Sequence, residues 1–376
     1  MKLNVVIFDI VPTNAVRFFI KFIEEFSKDF DISLTFLIEH DDALSIDDID
    51  NFYPMVDKKI CSQFFSINKI HKLLVDGNFD FALINGQRIP DDRFVVACKK
   101  SSTPVFMIQH GMYLPFLKRN PRFFLSKIKK TFSYLFYALD ISLSLNSFSI
   151  FIKYFASYVL GKNQVDISIP RILLNADKVF VYSEYWADFH KSQFGYSDDD
   201  MVVVGTPDLY SVACADFFND KNSVCYIAQT LVEDGRLSKN IFSNFLVTLI
   251  DYCAFNNKKL FIKIHPRSDL SLYKHVSGLD FVHFVNEIPS STLFVGHYSS
   301  LLVVPLSLTS VSTLLIRFPG HDIPQYFSSS ADYVLDYLDK NNPYCKLNNK
   351  ANIDFYFHKN SYLYSDFVLN IIKLIK

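Results

Sequence analysis

Between Ser223 and Ser300 every apolar run ends in the same way, and this constrains the fold more than any other feature. Val224–Gln229, Leu260–Ile264 and Leu293–Gly296 read as strands, with a helix predicted over Leu237–Ala254 between the first two. The first leads into Glu233-Asp234-Gly235, the second runs directly into His265-Pro266, and the third into His297-Tyr298-Ser299-Ser300 and a new helix. Near-continuous apolar strands are buried on both faces, and their alternation with helices predicts a parallel α/β sheet. Such sheets bind ligands outside the carboxyl ends of their strands. The polar ends at Asp234, His265 and Ser299 are therefore expected to converge on one crevice.

The first half repeats the pattern. Strands are predicted at Leu3–Ile10, Ile32–Ile38, Phe81–Ile84, Pro104–Ile108, Lys178–Tyr182 and Met201–Val204. Helices are predicted over Asn14–Ser27, near Ile67–Val75, near Arg93–Lys99 and over Glu184–Phe194. The Asp-rich stretch Asp41–Asp50 reads as a solvated loop. Gly205-Thr206-Pro207 breaks the alternation, and Asp208–Asn222 reads as a linker between domains. Beyond Ser300 the sequence predicts a strand over Thr313–Phe318, an irregular Pro319–Pro324 segment, a helix near Tyr333–Asp339 and a terminal helix over Tyr362–Ile375.

The length, 376 residues, allows two α/β domains with substantial cores. Half of the residues are hydrophobic and 39 are Phe, which argues against disorder. A net charge of −1 gives no global attraction to nucleic acid. The six cysteines form no CxxC pair, and four lie in apolar or helical surroundings, which reads as buried free thiols rather than a disulfide frame or zinc site, as in a reducing cytoplasm. Met1–Val11 reads as a first strand rather than a signal peptide. No uncharged apolar run reaches the roughly 18–20 residues of a membrane helix.

From Lys118 to Lys130 six residues are basic and none is acidic. An aromatic and apolar stretch follows, from Phe132 to Tyr158. One reading is a pair of amphipathic helices resting on anionic lipid, or a groove for a lipid-linked or anionic acceptor. The other is a solvated basic face beside a helical insertion packed on the core.

The polar strand ends carry chemistry of three kinds. Either carboxylate of Glu233-Asp234 can act as a general base toward a sugar hydroxyl, or the pair can cap the following helix. His265, held extended by Pro266 and flanked by Lys263 and Arg267, suits an anionic ligand such as a phosphate. Ser299 and Ser300, after Gly296, can offer hydroxyls and backbone N–H groups to a phosphate, or serve as a cap. In the first half, Gln109-His110-Gly111 follows a strand and is either a site or a turn holding a packed histidine.

The ordered set Glu233-Asp234-Gly235, His265-Pro266 and Ser299-Ser300 resembles the motifs of bacterial sialyltransferases and polysialyltransferases. It covers roughly Ser223–Leu306; the first domain matches only in its general α/β pattern. The resemblance implies a GT-B fold of two Rossmann-like domains, with mostly parallel sheets facing a central cleft. The domains expected are an acceptor-side domain over 1–215, carrying a basic and aromatic helical insertion at about 112–160, and a nucleotide-sugar-binding domain over 216–358. A terminal helix over 359–376 would fold back on the first. The family implies a CMP-activated sialic or related nonulosonic acid as donor, a glycan or lipid-linked glycan acceptor, inversion, and no metal or cofactor. Asp234 or Glu233 would then be the base. His265, with Lys263 and Pro266, would contact the CMP phosphate and assist its departure, and Ser299 and Ser300 would bind it beside Gly296. The setting implied is bacterial capsule or lipopolysaccharide synthesis in the cytoplasm, at or near the inner membrane.

A second resemblance is to the glycerophosphotransferases of teichoic-acid synthesis. These share the HP and serine-pair motifs and place a catalytic histidine after a first-domain strand, as His110 would be. That reading implies CDP-glycerol as donor. A third reading keeps the fold without turnover, as a nucleotide- or glycan-binding module.

Overall fold

Strand β1 (Lys2–Asp9) is buried along nearly its whole length, and Phe8 stacks on Phe94 with ring centroids 4.8 Å apart. It is an interior strand, between β2 and β4, of one of two sheets in this computed structural model. The structure describes residues 2–10, 19, 22–39, 56–63, 65–109, 111, 128–160, 173–206, 222–265, 268–308, 310–337, 345–347, 355–356 and 364–375. The predicted loop over Asp41–Asp50, nearly all of the linker over Asp208–Asn222 and much of the helix over Asn14–Ser27 lie outside them.

The chain divides into two compact units, 1–205 with 362–376, and 206–361. In the first unit the sheet runs β3-β2-β1-β4-β5-β6-β7, with every neighbouring pair parallel. Its other strands are β2 (Asp31–Ile38), β3 (Lys58–Cys61), β4 (Phe81–Ile84), β5 (Val105–Ile108), β6 (Lys178–Val181) and β7 (Met201–Val203). Helices α1 (Ile67–Gly77), α2 (Ile89–Ser101), α3 (Ile128–Ser144), α4 (Phe148–Leu160) and α5 (Glu184–Phe194) belong to the same unit. Local chemistry sets their ends. The Ser66 side chain caps α1 by accepting the Lys69 N–H, and α1 stops at Asn78 in the left-handed region, φ 45°. Gly195 ends α5 at φ 70°.

Helix α3 is locked to the core by one buried ion-pair network. Arg93 in α2 meets Glu39 at 3.3 Å and Asp140 of α3 at 3.1 Å. Tyr137 donates its hydroxyl to Glu39 at 2.5 Å, and the N–H of Ile67 donates to Asp140 at 2.9 Å. Burial and the Glu39 charge push the Tyr137 hydroxyl well above its ordinary pKa. Helices α3 and α4 form a hairpin, pinned by Thr131 and Tyr158 at 2.8 Å and by the Tyr134 hydroxyl donating to the Tyr154 carbonyl at 3.2 Å.

The second unit carries the sheet β10-β9-β8-β11-β12-β13-β14. Its strands are β8 (Ser223–Ile227), β9 (Lys259–Lys263), β10 (Val282–Val285), β11 (Leu293–Gly296), β12 (Ser312–Arg317), β13 (Tyr333–Asp336) and β14 (Cys345–Leu347). All neighbours are parallel except β13 and β14. Helix α6 (Lys239–Phe255) packs Phe245, Leu246 and Cys253 into the core of this unit beside Tyr226 and Leu260. Two one-turn helices follow, α7 (Val303–Ser307) and α8 (Gln325–Ser328), and the terminal helix α9 (Tyr364–Ile375) groups with the first unit.

One predicted element changes type. Tyr333–Asp336 is strand β13, paired in parallel with β12, where the sequence suggested a helix. Its β-branched and aromatic residues find cross-strand partners, which outweighs local helical spacing. Strands β3 and β10, short and partly exposed, gave too little apolar signal to stand out. Cys98, Cys225 and Cys253 are buried free thiols and Cys61 is a half-buried one.

Candidate functional site

In the second sheet the chain steps outward from β8 through β9 to β10, then returns to the opposite side of β8 as β11. The strand order therefore reverses between β8 and β11, the switch point where loops on neighbouring strands part to leave a crevice. Strands β9, β8 and β11 are direct neighbours. Their carboxyl ends carry the His265, Asp234 and Ser299 motifs, so the three expected strand ends lie side by side.

Hydrogen bonds tie these loops together. The carboxylate of Glu233, after β8, accepts the backbone N–H of Asp269, after β9, at 2.9 Å. The side chain of Gln229, also after β8, donates to the carbonyl of Tyr298 at 2.7 Å and accepts its N–H at 3.4 Å, which fastens the loop after β11. Arg236 reaches the Tyr298 hydroxyl at 3.5 Å, and its carbonyl accepts from His321 Nε2 in the loop after β12.

The two adjacent acids have different surroundings. Residues 231–235 form a tight turn, in which the N–H of Asp234 donates to the Thr230 carbonyl at 2.9 Å and Gly235 takes φ 69°. The Asp234 carboxylate accepts the buried Thr230 hydroxyl at 3.1 Å and lies 4.0 Å from the Arg236 guanidinium. Neither acid caps the next helix. Ser238 does so, accepting the N–H of Ile241 at 3.3 Å. The cap explanation for Glu233-Asp234 is thereby removed.

At the end of β9, Lys263 is buried, and its ammonium donates to the Ile264 carbonyl at 2.8 Å. Burial pushes the nearby Cys225 thiol up to about 12 against the opposing field of Lys263. His265 is half-buried, and its carbonyl accepts the N–H of Ser268 at 2.9 Å to close the turn after the strand. Pro266 lies outside the described residues.

Gly296 ends β11 against Leu302, whose side chain would have to shift to admit a Cβ, since that atom would stand 2.9 Å from Leu302 Cδ1. Ser299 accepts the N–H of Leu301 on its hydroxyl at 3.3 Å and that of Leu302 on its carbonyl at 2.9 Å. It opens a 3-10 turn, Ser300–Leu302, that leads directly into the short helix α7, where the sequence places a new helix. The Ser300 side chain lies outside the described residues.

His297, between Gly296 and the serine pair, has the environment of a core group. It is buried among Phe245, Phe318 and Tyr226, its ring centroid 4.3 Å from that of Phe318. Nδ1 donates to the Ile316 carbonyl at 2.9 Å, which leaves Nε2, 3.3 Å from the Tyr226 hydroxyl, to accept. Burial lowers its pKa to about 4, so it is neutral at pH 7.

The first-half candidates belong to the other unit of the chain. His110 lies outside the described residues. Gln109 is buried in the first unit, with its amide donating to the Gly111 carbonyl at 3.0 Å and accepting the N–H of Tyr182 at 3.1 Å, so it braces a turn. Residues that the motif reading missed are Gln229, Thr230, Arg236, Tyr298 and His321. Each is a polar residue placed after a strand, with no spacing of its own to mark it.

No curated protein sequence matches the chain. Solved structures with a similar fold include the MnaA–UDP co-structure from S. aureus, 12% identical over 99% of this chain and 96% of that one, with a TM-score of 0.57. UDP-GlcNAc 2-epimerase from Methanocaldococcus jannaschii is 12% identical over 99% of this chain and 100% of that one, with a TM-score of 0.53. At such identities the likeness is one of fold, α/β with two Rossmann-like sheets of the GT-B kind. The sequence itself goes further. Residues 32–278, more than half of the chain, match the family described as alpha-2,8-polysialyltransferase (POLYST). The match spans the acidic turn and the HP strand end, and it makes the chain a glycosyltransferase of the sialyltransferase type: the chain is a member of the alpha-2,8-polysialyltransferase family.

Proposed function

We propose that the protein transfers sialic acid, or a related nonulosonic acid, from its CMP ester to a hydroxyl of a glycan acceptor, with inversion and without a metal. The observation that carries this reading is the joining of the acidic turn and the HP strand end by the Glu233–Asp269 bond, on the strand at the sheet's switch point. The family match and a fold also seen in a UDP co-structure support a nucleotide-sugar donor.

In this reading Asp234 takes the proton of the attacking acceptor hydroxyl while the oxygen bonds to the anomeric carbon. The bond from that carbon to the phosphate oxygen breaks, and CMP leaves with the electron pair. Lys263 and His265 offset the charge gained by the phosphate, and Ser299 and Ser300 hold it through hydroxyl and N–H groups. Thr230 and Arg236 orient the Asp234 carboxylate. Synthesis of a bacterial surface polysaccharide is the setting this chemistry fits.

The test is a thermal-shift series with CMP, CMP-sialic acid, CDP, CDP-glycerol and UDP in the presence of a chelator. A ligand bound only by the folded state raises the apparent Tm by mass action. Stabilisation by CMP and its sugar ester, followed by CMP release when an oligosialic acceptor is added, is the expected result. A response to CDP-glycerol alone would replace this reading with polyol-phosphate transfer. CMP binding with no release in an acceptor screen would leave a binding module.

A further inference from the structure

Helices α3 and α4 are apolar on two opposite faces, and only one face of each is covered. Tyr137, Ala138 and Ile141 of α3 are buried, as are Ile150, Tyr154 and Tyr158 of α4. On the other side of α3, Phe132, Phe136, Leu139 and Leu143 are exposed, at steps of four, three and four residues that align along one helical stripe. The same steps recur in α4 at Phe148, Ile152, Phe155 and Val159, which are exposed too. Phe132 is 69% exposed, Leu143 66% and Phe148 64%. Scattered exposed apolar residues need no explanation, but two aligned rows of bulky ones on paired helices mark a docking surface.

Charge identifies the occupant. Over residues 118–160 the sequence holds seven basic residues, Lys118, Arg119, Arg122, Lys127, Lys129, Lys130 and Lys153, and a single acid, Asp140. That acid is turned inward onto Arg93 and the N–H of Ile67, so it is already paired and leaves the basic charge of the segment without an acid of its own. A solvent-exposed apolar row preceded by a purely basic segment complements an anionic bilayer, which offers acyl chains beneath a negative headgroup layer. Neither helix spans a membrane. At 17 and 13 residues they are too short, and no helix among the described residues is long and apolar enough to cross. We propose that the α3–α4 hairpin is a monotopic anchor lying flat in the interface of an anionic membrane, its exposed rows sunk among the acyl chains.

The full chain should co-sediment with vesicles of phosphatidylcholine mixed with phosphatidylglycerol, more weakly at high salt, and far less with phosphatidylcholine alone. Phe132→Ser combined with Leu143→Ser should cut partitioning about tenfold or more, with the Tm unchanged. Phe148→Ser, on the other helix, should also weaken it and stands in if the double variant unfolds. Equal failure of the wild type on both vesicle types would overturn the proposal. So would a wild type that self-associates in solution through these rows and dissociates in the variants, since the face would then join copies of the chain. Binding to soluble anionic polysaccharide that the apolar substitutions leave intact, without vesicle binding, would assign the basic segment to a glycan instead. The vesicle measurement is independent of the donor, so it stands or falls apart from the transferase reading.

Discussion

Glu233 accepts the backbone N–H of Asp269 at 2.9 Å, while its neighbour Asp234 accepts the hydroxyl of Thr230 at 3.1 Å. One acid therefore fastens the loop after β9, and the other sits in its own turn beside Arg236. Their roles should separate kinetically. Asp234→Asn should lower kcat by about 10²–10⁴-fold, the usual contribution of a general base, with CMP affinity retained. Glu233→Gln keeps an acceptor oxygen and should remain close to wild type. Glu233→Ala loosens the HP loop and should raise the donor KM more than it lowers kcat. Ser238→Ala is the control, costing about 1 kcal/mol of stability through its lost cap and leaving transfer intact. Steady-state kinetics with calorimetric CMP binding checks all four. A Glu233→Gln enzyme as dead as Asp234→Asn would make Glu233 the base.

A second expectation concerns Gly296. Its missing side chain lets Leu302, fully buried, pack against the end of β11. Gly296→Ala should destabilise the protein by about 1–3 kcal/mol, the range for overpacking. It should also weaken CMP binding, because Ser299 is positioned by the turn that Leu302 anchors. Adding Leu302→Val makes space and should restore part of both losses. Denaturant melts of the single and double variants would show it, and an unaltered melt for Gly296→Ala would mean that the turn moves freely.

Most of this site was legible in the sequence because it lies at strand ends. Leu293–Gly296 and Glu184–Phe194 fall where they were expected, since apolar runs and helical periodicity record burial directly. The alternation of strand and helix also implied the parallel order that sets β9, β8 and β11 side by side. The division of labour within Glu233-Asp234 was not legible. It depends on Asp269, 36 residues away, and a pair of acids looks the same whether it binds a proton, a loop or a helix end. Ser238 hid as the true cap because the acidic pair stood in front of it. Tyr333–Asp336 was misread for a related reason, as its fate is decided by the neighbouring β12 and not by its own periodicity.

A third expectation is a pH dependence set by His297. An unfolded histidine takes its proton at about 6.5. In the folded chain, burial among Phe245, Phe318 and Tyr226 lowers that value to about 4, with His321 adding a smaller repulsion and the Ile316 carbonyl opposing both. Between these two values the unfolded state binds more protons than the folded one. Stability therefore falls as the pH drops from about 6.5 toward 4, by up to about 1.4 kcal/mol per pH unit from this site, and above 6.5 the site contributes no slope. His190 in the first unit has a pKa lowered to about 3 by burial and should act in the same direction. His297→Gln can still donate to Ile316 and accept from Tyr226, but it cannot titrate. Its Tm at pH 7 should be lower than that of the wild type, and its decline between pH 6.5 and 4.5 shallower, so that the two curves converge on acidification. Parallel curves across that interval would show that His297 already carries a proton in the folded protein. The neutral, core-bound imidazole described by its Ile316 and Tyr226 contacts would then be wrong.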